Sequence, residues 1–203
     1  VNYLALDDNE KEMLSNVAAM KADGTVSKII VLINSANALQ VDFLKDNTYN
    51  VDACLWIGDV GITGINAVAD ILAGNVNPSG SLVDTYCYDN MSSPAMANFT
   101  PVTYEGYAEG IIPDKAKSYM VYQEGIYVGY KYYETRYEDT VMGTGNAGSY
   151  VYSDDVAFPF GYGLSYTDFE YSDMTGVYDA ATDSYNFNVT VTNTGDTYSG
   201  KET

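Results

Sequence analysis

Two unbroken runs of aliphatic and β-branched residues constrain this chain most. The first is Lys28-Ile29-Ile30-Val31-Leu32-Ile33 and the second extends from Val51 to Ile57. A run without period-two alternation predicts a strand covered on both faces, as in a parallel sheet. Parallel strands need a long crossover, usually a helix, and the crossover is right-handed. Helical patterns flank both runs. Asp7 and Glu10 have capping-box spacing, Met13, Leu14, Val17 and Ala18 recur on one face, and Gly24 lies beyond the end. These features predict a helix over 7–21. Gly58, Gly61 and Gly64 follow the second run, and a helix carrying Ile65, Val68, Ala69, Ile71 and Leu72 is expected after them, closed by Gly74. Asn77-Pro78-Ser79-Gly80 marks a turn, after which Leu82-Val83 is expected to open another short strand. The fold class is therefore α/β, a layered and mostly parallel sheet with flanking helices.

The rest of the chain is patterned differently. Residues 87–117 carry Pro94, Pro101 and Pro113 and read as an irregular excursion. Residues 119–137 are dense in tyrosine, 143–149 form a glycine-rich loop, and Phe158-Pro159-Phe160-Gly161-Tyr162-Gly163 is a compact aromatic–glycine turn. In the tail, Tyr185, Phe187, Val189 and Val191 alternate with Asn186, Asn188, Thr190 and Thr192. Period two predicts a strand with one buried face, ended by the turn Asn193-Thr194-Gly195-Asp196. Its partner strand is expected to follow, so the tail reads as the opening of a β-sandwich that continues elsewhere.

Charge narrows the chemistry. Nine Lys and Arg stand against twenty-eight Asp and Glu, a formal net charge of -19, and there is no histidine. So few cations cannot neutralise a phosphate backbone, so no nucleic-acid partner is expected. An anionic membrane surface would repel the chain, and no apolar run approaches the length of a span. Ser-His-Asp and Cys-His catalysis and His-ligated metals are excluded outright. Carboxylates, Tyr, Lys and Ser/Thr remain. The acidic clusters lack EF-hand spacing, so no metal and no cofactor is expected. Cys54 and Cys87 read as two free, mostly buried thiols.

Four features invite a functional reading. Gly58-x-x-Gly61-x-x-Gly64 joins a strand to a helix, where amide groups can hold an anion. It matches neither the dinucleotide fingerprint nor the P-loop, and Asp59 would repel a phosphate, so it reads as tight packing. The carboxylate pairs Asp7-Asp8, Glu138-Asp139 and Asp154-Asp155 suit glycoside hydrolysis in residue type, but read as caps or solvated charge. Tyrosine faces suit sugar C–H surfaces and equally fill half-buried sites. Asn90, Asn98 and Asn188 head N-x-S/T sequons.

Several segments together resemble glycoside hydrolase family 3, the β-glucosidase-type enzymes. Trp56-Ile57-Gly58-Asp59-Val60-Gly61, Ala67-Val68-Ala69-Asp70-Ile71-Leu72-Ala73-Gly74 and Asn77-Pro78-Ser79-Gly80-Ser81-Leu82 run in that family's order. So do Glu124-Gly125-Ile126-Tyr127-Val128-Gly129-Tyr130-Lys131-Tyr132-Tyr133 and Phe158-Pro159-Phe160-Gly161-Tyr162-Gly163-Leu164-Ser165-Tyr166-Thr167. Val189-Thr190-Val191-Thr192-Asn193-Thr194-Gly195, with Gly200-Lys201-Glu202, is similar to the start of its fibronectin type III-like domain. One departure is Ser81, where the family frequently has Arg. The resemblance implies residues 1–166 as the later part of an α/β sandwich and 167–203 as the first strands of the fibronectin type III-like domain. It implies an N-terminal barrel on the same enzyme, a retaining exo-acting β-glycosidase acting on a β-glucoside or oligosaccharide. The family's nucleophile, an aspartate, belongs to that barrel, and its acid/base glutamate to a motif preceding Tyr3. Neither catalytic residue is expected here, and the isolated chain is expected to be inactive. Asp59, after a strand end, and Glu124 are the candidates for lining the sugar site. On the residues alone, a non-catalytic module binding carbohydrate or a partner through tyrosines stays open, as does a nucleotide-binding α/β domain.

Overall fold

A computed structural model describes residues 2–105, 117–145, 147–196 and 198–200. The elements in order are α1 (Asp8–Ala22), β1 (Ile30–Ile33), β2 (Ala53–Trp56), α2 (Gly61–Leu72), β3 (Tyr86–Cys87), α3 (Pro94–Ala97), β4 (Val102–Thr103), β5 (Ser118–Tyr119), α4 (Tyr130–Met142), α5 (Tyr152–Asp155), β6 (Val156–Phe158), β7 (Phe169–Asp179) and β8 (Ser184–Asn193). They form two compact units. One comprises Val1–Asp59 with Val83–Phe160, the other Val60–Leu82 with Gly161–Thr203.

In the first unit β1 and β2 pair in parallel, Ile30 opposite Ala53 and Ile33 opposite Trp56. The expected parallel pairing is therefore present, but the double-sided cover is not. Ile29 and Ile33 are buried, whereas Ile30 and Leu32 are exposed on the opposite face. Among the described residues two strands make this sheet, and Ile30 and Leu32 have no layer that buries them. Cys54 stands opposite Val31 and is exposed; both thiols are free, but only Cys87 is buried.

Helix α1 starts where its signature places it. The Glu10 amide donates to Asp7 Oδ1 and the Asp7 amide to Glu10 Oε2, each at 2.8 Å, completing the capping box. Its far end is tied to the strand edge by Asp52. Lys21 Nζ donates to Asp52 Oδ2 at 2.7 Å, Lys28 Nζ to Oδ1 at 3.0 Å, and the Ile29 amide to Oδ2 at 2.8 Å. These donors hold the Asp52 carboxyl well below the ordinary carboxylate range, the Lys21 bond first.

The core of this unit gathers Cys87, Tyr133 and Val156, with Tyr132, Tyr150 and Tyr152 against them. Tyr133 comes from α4, a helix with no clean apolar periodicity in the tyrosine-dense segment. Ser92 Oγ and Tyr133 Oη are hydrogen-bonded at 2.8 Å. Tyr152 Oη donates to Glu134 at 2.5 Å. Arg136, the chain's single arginine, lies over the rings of Tyr150 (4.9 Å) and Tyr132 (5.6 Å) and donates to the Ala147 carbonyl at 2.7 Å. The guanidinium thereby braces the described part of the glycine-rich loop. The excursion 87–117 carries the short pieces β3, α3 and β4, and residues 106–116 lie outside the described residues.

In the second unit α2 begins at Gly61, one turn earlier than the periodicity placed it. Leu82-Val83 is not a strand. Leu82 exchanges bonds with the aromatic–glycine turn, its amide to the Tyr162 carbonyl at 2.8 Å and its carbonyl from the Gly161 amide at 2.7 Å. At Gly163 the two backbones meet so closely that an added Cβ would lie 2.5 Å from the Gly80 carbonyl oxygen.

The tail strand is present as β8, but two expectations for it fail. Its partner precedes it: β7 and β8 form an antiparallel hairpin with Tyr171 opposite Val191 and Tyr178 opposite Tyr185. Nor is one face buried, because Tyr185, Phe187, Val189 and Val191 are all exposed. Among the described residues no second sheet covers this two-stranded ribbon.

Candidate functional site

The carboxyl end of the parallel pair is where an open α/β sheet presents ligand-binding groups. Here it is built around Trp56. The indole Nε1 donates to the Ser35 carbonyl at 2.8 Å, crossing from the end of β2 to the loop after β1. The Ile57 amide donates to the Ile33 carbonyl at 3.0 Å and extends the pairing by one residue. Gly58 then turns with φ +56, and an added Cβ would stand 3.1 Å from the Trp56 ring. Only glycine meets both demands without strain. Asp59 follows, exposed, directly at the strand end.

The glycine spacing serves packing and turning. Gly61 opens α2 at φ +59, and a Cβ at Gly64 would lie 3.2 Å from Val60 Cβ. The helix has no side-chain cap.

A cavity of about 300 Å³ adjoins the carboxyl end of β1. Leu4, Leu6, Met13, Leu14, Ile33 and Phe43 are part of its apolar wall, with Asn34 and Ser35 at the strand end. Glu10 also reaches this wall, but its carboxylate is committed to the cap of α1. Neither Asp59 nor Glu124 lines the cavity.

Glu124 occupies a separate turn, between β5 and α4. The Tyr127 amide donates to its carbonyl at 3.0 Å, and Gly125 at φ +58 makes the reversal. Its Oε2 is buried and has no hydrogen-bond partner among the described residues. A buried carboxylate oxygen without a donor is costly, so it asks for a hydrogen-bond donor such as a hydroxyl or water. The two candidates thus stand on different segments, Asp59 exposed and Glu124 with one hidden oxygen.

The neighbouring carboxylate pairs are structural or surface groups. Asp7 caps α1. Asp139 accepts from Thr144 Oγ1 at 3.3 Å. Burial, and next the Asp154 charge, raise the Asp155 carboxyl above its ordinary value. Among the described residues no group of three His, Cys, Asp or Glu could hold a metal ion, and no helix is long and apolar enough to cross a membrane. The Asn90 sequon is internal: Asn90 is buried and its amide donates to the Ala38 carbonyl at 3.2 Å. Sequence reasoning missed Asp52 and Arg136, since their partners lie far off in sequence or are aromatic faces that carry no charge signal.

A parallel β1–β2 pair with helices and a glycine corner at its carboxyl end defines an α/β-type domain. Its family is glycosyl hydrolase family 3: residues 1–130 match that family's C-terminal domain, and the chain belongs to it. A β-glucosidase of Ruminococcus albus is 33% identical over 171 residues, covering 84% of this chain and 14% of the relative. β-Glucosidase A of Butyrivibrio fibrisolvens is 36% identical over 165 residues, 81% of this chain and 16% of the relative. Among solved structures, a β-glucosidase from Paenibacillus barengoltzii superposes with a TM-score of 0.69 at 30% identity, covering 96% of this chain and 18% of that one. β-Glucosidase 3B of Thermotoga neapolitana, in complex with glucose, gives 0.64 at 32% identity, with 95% and 22% covered. The chain spans less than a quarter of the length of each of these relatives.

Proposed function

We propose that this chain is the C-terminal portion of a retaining, exo-acting β-glycosidase of the β-glucosidase type. Residues 1–166 form the later part of its α/β sandwich, and 167–203 begin a fibronectin type III-like domain. The nucleophile, an aspartate, lies in an N-terminal barrel, and the acid/base glutamate lies just ahead of Tyr3. The two-carboxylate route runs through a covalent glycosyl-enzyme, which requires the two carboxyls about 5–5.5 Å apart. This chain supplies one wall of the cleft, with Asp59 and Glu124 as hydrogen-bond partners of sugar hydroxyls. The substrate is a terminal β-linked glucoside or oligosaccharide.

The observation that carries this reading is the family match over residues 1–130, joined to the fixed Trp56–Ser35–Gly58 corner at the strand ends. A carboxylate oxygen accepts hydrogen bonds from hydroxyls, and Glu124 Oε2 is an acceptor without a donor among the described residues. The test is an aryl β-glucoside assay of the isolated chain and of the enzyme carrying it. The isolated chain is expected to show no turnover. Activity that co-purifies with it through further steps refutes the proposal. In the whole enzyme, Asp59→Asn and Glu124→Gln are expected to raise KM; kinetics unchanged in both variants remove these residues from the site.

A further inference from the structure

The N-P-S-G and F-G-Y-G-L-S-Y-T signatures mark the family, yet the proposed chemistry uses neither. Their geometry within the second unit is specific. The Asn77 side-chain amide donates to Ser165 Oγ at 3.0 Å and to the Ser199 carbonyl at 3.2 Å. Its Oδ1 accepts from the Tyr166 amide at 3.0 Å and from Ser165 Oγ at 3.3 Å. All four hydrogen-bonding positions of the carboxamide are thereby used. Ser165 and Tyr166 lie just before β7, and Ser199 lies just after β8.

A second asparagine closes the same root from the other side. Asn193 Oδ1 accepts from Thr167 Oγ1 at 2.5 Å and from the Gly195 amide at 2.9 Å, and its Nδ2 donates to the Tyr198 carbonyl at 3.2 Å. The Thr194 amide donates to the Asp168 carbonyl at 2.9 Å. A side chain at Gly195 would overlap Thr167 Oγ1, and one at Gly200 would stand 3.2 Å from Asn77 Nδ2. Entry and exit segments of the hairpin are thus drawn onto one asparagine of a turn far earlier in the chain.

We propose that Asn77 is a lock that fixes both ends of the β7–β8 hairpin, and that the two signatures are the halves of one mechanical joint. The hairpin's own body offers little to hold it, since its apolar side chains are exposed. Its direction is therefore set at the root. Aspartate at 77 would keep the acceptor for Tyr166 but lose both donors and set a negative charge against the Ser199 carbonyl. Glutamine would carry the amide one methylene too far. The inference does not depend on the glycosidase reading.

Amide hydrogen exchange on the full chain tests it. In Asn77→Ala, the Tyr166 and Thr194 amides are expected to exchange at least about tenfold faster, as loss of several hydrogen bonds implies. The Ile57 and Ala53 amides of the parallel pair are expected to be unchanged. Ser165→Ala, which removes one partner only, is expected to give a smaller acceleration at the same sites, and it stands in if Asn77→Ala does not fold. Unchanged exchange at Tyr166 and Thr194, or equal acceleration at Ile57 and Ala53, overturns the proposal.

Discussion

Replacing Gly163 with alanine probes the tightest approach of a glycine to a main-chain atom among the described residues. The new Cβ would fall 2.5 Å from the Gly80 carbonyl oxygen and 3.4 Å from Gly80 C and Ser81 Cα. The nearest of these is a main-chain atom, which cannot rotate away as a flexible side chain can. Separation to ordinary contact means moving the 77–82 strip from the aromatic–glycine turn, against the two Leu82 bonds of 2.7 and 2.8 Å. Overpacking of this kind costs about 1–3 kcal/mol. For a chain of this size each kcal/mol lowers Tm by about 2–4 °C, so a fall of roughly 2–12 °C is expected. Gly80→Ala is the matched control. It sits on the same contact, but its own Cβ would point into open space. That variant is expected within about 0.5 kcal/mol of the parent. Calorimetry of the three proteins decides the matter. A Gly163→Ala Tm equal to the parent's, or a Gly80→Ala loss as large, would refute the close-contact argument.

Two further outcomes follow from the other unit. Asp52 is held ionised by Lys21, the Ile29 amide and Lys28, so its carboxyl is depressed in the folded state. A depressed carboxylate stabilises above its unfolded pKa, and that contribution is lost as pH falls through the folded value. The Tm difference between parent and Asp52→Asn is therefore expected to be constant at neutral pH and to shrink only in acid below roughly pH 4; a difference that grows in acid contradicts the assignment. Burial pushes the Cys87 thiol up to about 11, so iodoacetamide is expected to leave it unmodified until the chain is denatured. Mass spectrometry showing native alkylation at Cys87 would disprove its enclosure.

The sequence carried the features whose causes are local. The α1 cap was legible because both partners of the box lie three residues apart, and the parallel pairing because β-branched runs have few other uses. What it could not carry depends on neighbours distant in sequence. Alternation along 185–191 signalled a strand correctly but not its exposure, since burial needs an opposing sheet. Helix α4 was illegible because Tyr132, Tyr133 and Tyr137 mark helical and extended faces equally. Its tyrosines pack on each other and on Arg136 instead of forming an aliphatic stripe. At the candidate site, Asp59 was placed at a strand end as read, while the orphaned oxygen of Glu124 had no signal in the residues around it. Asn77 was read as a turn former and as part of the family resemblance, but not as a tie, because its partners lie about 88 residues or more onward.

Trp56 has an optical consequence. It is the single tryptophan beside twenty-one tyrosines, and its indole is bonded to Ser35 and covered by Gly58. Indole absorbs at the red edge where tyrosine does not, so excitation there selects one emitter, seated at the carboxyl edge of the parallel pair. The emission colour of the native protein reports on that corner alone, and any ligand reaching the strand ends would announce itself there without an added label.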